Sequence, residues 1–223
     1  MTDMARSDVV NANPSGSLAD AVYWSLRQDI VHGVLRPNRA LVEAEIAERL
    51  QVSRTPVRES IQRLTTDGLV LSHRRRWVVY EHSTQEIKEI YEVRAALESF
   101  GARLASLRAT SEQLEQLVVA RHLTAAEDYG DDFPMHVQAN EDFHDRIIQC
   151  AGNGRLTAVI KRNSIFHFNY RVAALYTPAE LKVSSSQHDQ LLAAVCDRQP
   201  DVAARIAQEH VEQALNIILM RLH

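Results

Sequence analysis

The chain predicts a mainly α protein, with an N-terminal winged helix-turn-helix followed by a C-terminal antiparallel bundle of about six helices. Three observations carry that expectation. Residues 43–80 offer a short helix, a tight turn, a second helix and two β-prone runs around a basic tip, in that order. After Glu81-His82 the pattern changes to successive amphipathic helices with capping signals and short turns. No alternating strand pattern occurs in that second part.

The elements follow along the chain. Residues 1–16 are polar, carry Asn, Pro, Ser and Gly, and lack the apolar core of a secretory signal, so they read as a disordered leader. Leu18, Val22, Leu26 and Ile30 recur at helical spacing and predict a helix over 18–34, with Gly33 as a C-terminal cap. Leu35-Arg36-Pro37-Asn38 is a turn. A short helix over 43–50 is set by Ile46, Ala47 and Leu50. Gln51-Val52-Ser53 is a tight turn, Ser53 is an N-cap, and Pro56 falls in the first turn of the next helix, where its missing N–H costs little. That helix runs through Val57, Ile61 and Leu64 to Asp67-Gly68. Leu69-Val70-Leu71 and Trp77-Val78-Val79-Tyr80 then flank His73-Arg74-Arg75-Arg76 as a hairpin wing. Residues 17–80 thus form one domain, 81–83 a linker and 84–223 an all-helical domain.

In the second domain Ser83 to Glu86 is a capping box opening a helix to about 107. A second box at Thr110 to Gln113 starts a helix ending near Gly130. Further helices are expected over 133–150, 155–175 and 177–197, and a last one reaches nearly to His223 after the turn Arg198-Gln199-Pro200.

Composition sets limits on function. The 223 residues are 45% hydrophobic and 24% charged, ordinary for a globular chain, and no apolar run approaches a membrane span. Cys150 and Cys196 sit in helical apolar contexts, which favours buried free thiols and a cytoplasmic location. The net charge of -4 is unevenly placed. Residues 17–80 hold ten Lys/Arg against seven Asp/Glu, whereas residues 81–223 hold fourteen against twenty. A basic module joined to an acidic one leaves nucleic acid open as a partner.

The basic module has the side chains for that partner. Ser53, Arg54, Thr55 and Arg58 crowd the start of the helix that a helix-turn-helix inserts into the major groove. Arg54 and Arg58, four apart, share one helix face and suit paired contacts with guanine or phosphate. Arg74, Arg75 and Arg76 at the wing are candidates for backbone or minor-groove contact. The run from Leu41 to Leu50, followed by Val52-Ser53-Arg54-Thr55-Pro56-Val57-Arg58-Glu59 and later Arg63-Leu64 and Asp67-Gly68-Leu69-Val70, resembles the signature of the GntR-type bacterial regulators. The resemblance implies that Arg54 and Arg58 contact operator DNA. Two positions depart from the family pattern. Asn38 stands where a glycine is usual, and the wing tip carries arginines instead of a glycine.

A second constellation lies in the helical part. Asn140 and His144 are four apart on one helix face. His188 and His210 lie about eleven residues either side of Gln199, so an antiparallel hairpin sets them at the same height. Three histidines and one oxygen ligand on facing helices suit a divalent ion, although a buried histidine without a metal remains open from spacing alone. Glu92-Val93-Arg94-Ala95-Ala96-Leu97-Glu98, Phe143-His144 and Gly152-Asn153 resemble the all-helical effector domain of the FadR-type branch of that family. This resemblance implies Asn140, His144, His188 and His210 as ligands of a zinc or nickel ion. It also implies a small organic-acid effector whose carboxylate pairs with Arg94; an Arg94–Glu98 helix pair is the competing role.

The expectation is a ligand-responsive regulator, a repressor binding a palindromic operator as a homodimer, and not an enzyme. A metal sensor and a metal-dependent hydrolytic enzyme with a DNA-binding appendage are the alternatives.

Overall fold

The computed structural model describes residues 17–31, 33–74, 76–126, 133–163 and 176–221. The expected leader, Arg75, the helix end near Gly130, the second half of the helix over 155–175 and the terminal His223 lie outside the described residues. The chain divides into two compact units, residues 1–82 and 83–223.

In the first unit α1 (Leu18–Val31) packs against α3 (Arg54–Thr66), with α2 (Glu43–Leu50) alongside. Val22, Leu26, Val57, Ile61 and Leu64 are fully buried and supply this small core. Ser60 sits in it as the one buried hydroxyl of α3, and its Oγ lies 2.7 Å from the carbonyl oxygens of both Ala19 and Pro56, which share its single proton. Tyr23 Oη donates to Asp67 at 2.6 Å and so ties the end of α3 back to α1. Gly68 at φ 78 stops α3 in a backbone state that other residues adopt at a cost.

The wing is a three-stranded antiparallel sheet in the order β1 (Ala40–Leu41), β3 (Arg76–Val79), β2 (Val70–His73). The sequence shows only the hairpin. Its third strand, β1, has two residues, too few for any periodicity, and pairs Ala40 with Val78 and Leu41 with Trp77. Asn38 takes φ 62 in the turn before β1, so the substitution for glycine keeps the left-handed conformation. α1 ends at Val31, three residues earlier than expected, and Gly33 follows it with its N–H on the Ile30 carbonyl.

The second unit is built on α4 (Thr84–Arg108), against which α9 (Pro200–Arg221), α6 (Phe133–Cys150), α8 (Pro178–Cys196) and α7 (Gly154–Asn163) all pack. The capping box at Ser83 and Glu86 forms, as does the reciprocal pair of Thr110 and Gln113 ahead of α5 (Ser111–Ala126). Thr177 and Glu180 make a third box at the start of α8. The buried stripe of α4 includes Ile87, Tyr91, Ala95, Ala102 and Ala105, and is small enough for neighbours to come close. At Gly101 an added Cβ would meet the Ile148 side chain, so the glycine is what admits α6 to that distance. Cys150 is buried and Cys196 half-buried, both as free thiols. The buried stripe of α4 is apolar except at Arg94, Glu98 and Ser106. Arg94 and Glu98 lead to the site.

Candidate functional site

At the N-terminus of α3 the polar and apolar residues separate cleanly. Pro56, Val57, Ser60 and Ile61 are buried, while Ser53, Arg54, Thr55 and Arg58 are exposed on the other side. Ser53 occupies the N-cap with extended backbone, but its hydroxyl makes no capping hydrogen bond, a departure from the expected cap. Arg58 is 61% exposed and already held: its Nε and Nη2 donate to the two carboxylate oxygens of Glu43 at 3.0 and 2.8 Å. The Arg58 guanidinium in turn holds the Glu43 carboxyl below its ordinary range.

In the wing, His73 pairs with Arg76 across the hairpin, so Arg76 is the first residue of β3 and not part of the tip. The register of the β2–β3 ladder takes it off the tip. Arg74 remains there, exposed, at φ 48, the backbone state for which a glycine is the usual choice.

In the helical unit the structure brings three of the expected ligands together. His144 on α6, His188 on α8 and His210 on α9 each aim Nε2 at a common point. The His144–His188 distance is 3.2 Å and the His188–His210 distance 3.3 Å, and the three ligand atoms lie within 4.8 Å of one another. The α8–α9 hairpin about Gln199 is what levels His188 with His210. Phe143 closes one side, its ring 4.8 Å from that of His188. Asn140 lies one turn before His144 on α6 and is half-buried.

Each outer imidazole has an acceptor behind it. Glu98 Oε2 stands 3.3 Å from Nδ1 of His144, and Gln187 Oε1 is 2.9 Å from Nδ1 of His210. Both acceptors favour the tautomer with the proton on Nδ1, which leaves lone pairs on the Nε2 atoms that converge. His188 can carry only one Nε2 proton between two such lone pairs, so it cannot donate a full hydrogen bond to both at once. A cation can accept lone pairs from all three rings. Four-coordinate zinc with Zn–N bonds of about 2.0–2.1 Å places its nitrogens about 3.3 Å apart, close to the spacing found. Burial, then the nearby Arg94, lowers His144 to about 3, and burial holds His210 well below its ordinary value. His144 and His210 are therefore neutral, as metal ligation requires.

Arg94 is 5% exposed and donates from Nε to Glu98 Oε1 at 2.6 Å, so the i,i+4 pair anticipated as its competing role forms. Burial works against the guanidinium's charge, but Glu98 outweighs it and keeps Arg94 ionised. Arg94, Glu98 and His144 thus form one relay from α4 to α6. The sequence offered Glu98 only as a helical partner of Arg94, not as the group behind His144, and did not single out Gln187. A signal for Glu98 exists, since a carboxylate seven residues after Tyr91 on the buried stripe of a long helix needs a partner. Gln187 gives none beyond its place beside His188.

With the geometry in hand, comparison with known proteins adds relatives. Residues 18–79 match the family of bacterial regulatory proteins named gntR, and residues 89–213 match the FCD domain. The chain is 30% identical over 192 residues to the Nta operon transcriptional regulator of Aminobacter aminovorans, spanning 82% of this chain and 88% of that protein. It is 27% identical over 212 residues to the HTH-type transcriptional repressor RspR of Escherichia coli K12, spanning 90% and 89%. The Glc operon transcriptional activator of the same organism is also 27% identical, over 220 residues, spanning 87% and 86%. Among solved structures, E. coli McbR/YncC superposes with a TM-score of 0.79 at 24% identity, covering 93% of this chain and all of that one, a likeness of fold.

The relay yields a prediction. Glu98→Ala strips the buried Arg94 of its counter-charge and should cost about 3–5 kcal/mol of stability. Denaturant unfolding followed by circular dichroism measures it, and a loss below 1 kcal/mol would mean the guanidinium reaches water.

Proposed function

Since this chain belongs to the gntR family of bacterial regulatory proteins and carries an FCD domain, it is a transcriptional regulator and not an enzyme, and we propose that a small organic acid, sensed beside a divalent ion in the helical unit, controls its grip on a palindromic operator. The observation that carries this reading is the convergence of the three imidazoles, with Nε2 of His188 3.2 Å from that of His144 and 3.3 Å from that of His210.

His144, His188 and His210 hold the ion, with Asn140 as the fourth, oxygen ligand; zinc or nickel suits a nitrogen-rich set. As a neutral ligand, Asn140 adds no charge to the site's pull on the ion. When bound, the ion supplies a Lewis-acidic position for an effector oxygen. Arg94 spends one of its five N–H donors on Glu98 and offers the others to the effector carboxylate. The charge of the relay orients His144 and fixes the guanidinium before any ligand arrives.

At the output end, Ser53, Arg54, Thr55 and Arg58 read the major groove from the start of α3, and the open N–H groups there favour a phosphate. Arg74, Arg75 and Arg76 support them from the wing. A twofold homodimer matches two half-sites. Val93, Phe100 and Leu107, seven apart on α4 and about half exposed, form an apolar stripe facing away from its core, which supports α4 as the helix that pairs with a second copy. The effector acts by binding one arrangement of the dimer better than another. We assign the repressor sense, in keeping with the relative RspR, and the cytoplasm as the site of action. The same imidazole cluster favours one second reading, in which the ion itself is the signal.

Three outcomes are expected. Arg54→Ala and Arg58→Ala should each weaken operator binding about tenfold or more in a fluorescence-anisotropy titration; full affinity in both variants would overturn the recognition-helix assignment. Zinc titrated calorimetrically into chelator-treated protein should bind at one ion per chain, and His188→Ala should abolish it; if chelation alone releases the operator and no acid does, the ion is the signal. Phe100→Glu should shift the sedimentation mass from dimer to monomer, and an unchanged dimer would remove α4 from the interface.

A further inference from the structure

A second arginine is buried in the helical unit, on α5. The inward face of that helix runs through Leu114 and Leu117 and reaches Arg121 one turn later. An apolar residue would continue the pattern, yet a guanidinium stands there on a side chain only 8% exposed. It reaches across to α8. Nε donates to Asp189 Oδ1 at 2.7 Å, and Nη2 donates to the carbonyl oxygen and the hydroxyl oxygen of Ser185 at 2.8 and 2.6 Å.

The ion pair does not account for the burial. Asp189 is 61% exposed, and so well hydrated a carboxylate offsets little of what a guanidinium loses on leaving water. The bonds to Ser185 are of another kind. One of them takes a main-chain carbonyl inside α8, on the lone pair that the helix's own hydrogen bond leaves over. Two bonded side chains can follow a helix that turns or slides, because their rotamers adjust. A bond to the main chain holds the helix itself.

Ser185 and Asp189 lie one turn apart on α8, and His188 falls between them. His188 is the middle imidazole, with Nε2 3.2 Å from that of His144 and 3.3 Å from that of His210. Glu98 and Gln187 set the rings of His144 and His210 from behind. Arg121 acts on the helix that carries the third. Because α5 also packs on α6, which carries His144, its hold on α8 spans two of the three ligand-bearing helices. Metal–ligand distances tolerate only about 0.2 Å, so a shift of α8 too small to disturb the core is enough to spoil the set.

We propose that Arg121 is a positioning residue of the histidine site: by gripping α8 at the Ser185 carbonyl it keeps His188 in line with His144 and His210. The planar fork is what the role demands, since Nε and Nη2 serve two residues a turn apart at once, which the single point charge of a lysine cannot do. This rests on the metal reading above and adds to it the residue that holds the middle ligand in place.

The test uses the full-length chain, stripped with chelator and titrated calorimetrically with zinc alone, and cobalt(II) as a second probe whose visible absorption reports its ligand arrangement. Arg121→Lys keeps the charge opposite Asp189 and loses the fork. It should still take one ion per chain, bind zinc about tenfold more weakly, the lower end of what a supporting group contributes to a metal site, and give a cobalt spectrum displaced from that of the wild type. Asp189→Asn removes the exposed carboxylate and spares the bonds to Ser185, so it should bind zinc within about threefold of the wild type. A lowered melting temperature in Arg121→Lys with zinc affinity and cobalt spectrum unchanged would mean that the arginine holds only the fold, and would overturn the inference while the metal reading stands. A loss in Asp189→Asn as large as that in Arg121→Lys would overturn it too, because the ion pair would then be the cause. If the wild type takes up neither ion, the metal reading falls and the inference with it.

Discussion

A guanidinium in the middle of a helical bundle is the constraint around which the second unit is arranged. Arg94 cannot lose its proton and cannot reach solvent, so the helix that carries it must also carry its counter-ion one turn away. Glu98 meets that need with one oxygen and turns the other to His144. The direction of the His144 ring, and hence the point where the three imidazoles meet, follows from that one ion pair. Buried ion pairs are often replaceable by apolar pairs without loss of stability, so the geometry they impose on His144 is the more telling feature of this one.

The surrounding architecture makes the relay rigid. α4 packs on four other helices, and the close approach of α6 at Gly101 holds His144 near the Glu98 carboxylate. The hairpin of α8 and α9 delivers the other two imidazoles. α9, which carries His210, packs along α4 more extensively than any other helix does. The helix that carries Arg94 and Glu98 is also the one that exposes Val93, Phe100 and Leu107.

Much of this was readable before any coordinates. The capping boxes, the turn at Gln199 and the spacing of His188 and His210 are local grammar, and local grammar survives folding. The signature around Ser53 to Arg58 is equally compact. What escaped depends on contacts distant in sequence. The strand at Ala40 and Leu41 is too short to show a period and exists only through its pairing with β3. Arg76 reads as tip in a run of three arginines, and only the ladder places it on a strand. Glu98 was visible as a helical partner of Arg94, but its second role required knowing that α6 lies beside it. Gln187 carried no signal, since an amide beside a histidine is ordinary until its partner is counted.

Under the recognition role proposed for Arg58, its clasp with Glu43 has a consequence for how the protein moves over DNA. With its guanidinium already balanced by a carboxylate, Arg58 adds little to the general pull of the phosphate backbone, so random sequence holds the protein less firmly than its arginine content suggests. Any site that draws Arg58 away must also tolerate the bared charge of Glu43 near the duplex. Only a partner offering two aligned acceptors, such as the edge of a guanine, repays that loss. The carboxylate acts as a tariff on indiscriminate binding, and shortens the time spent at the wrong address.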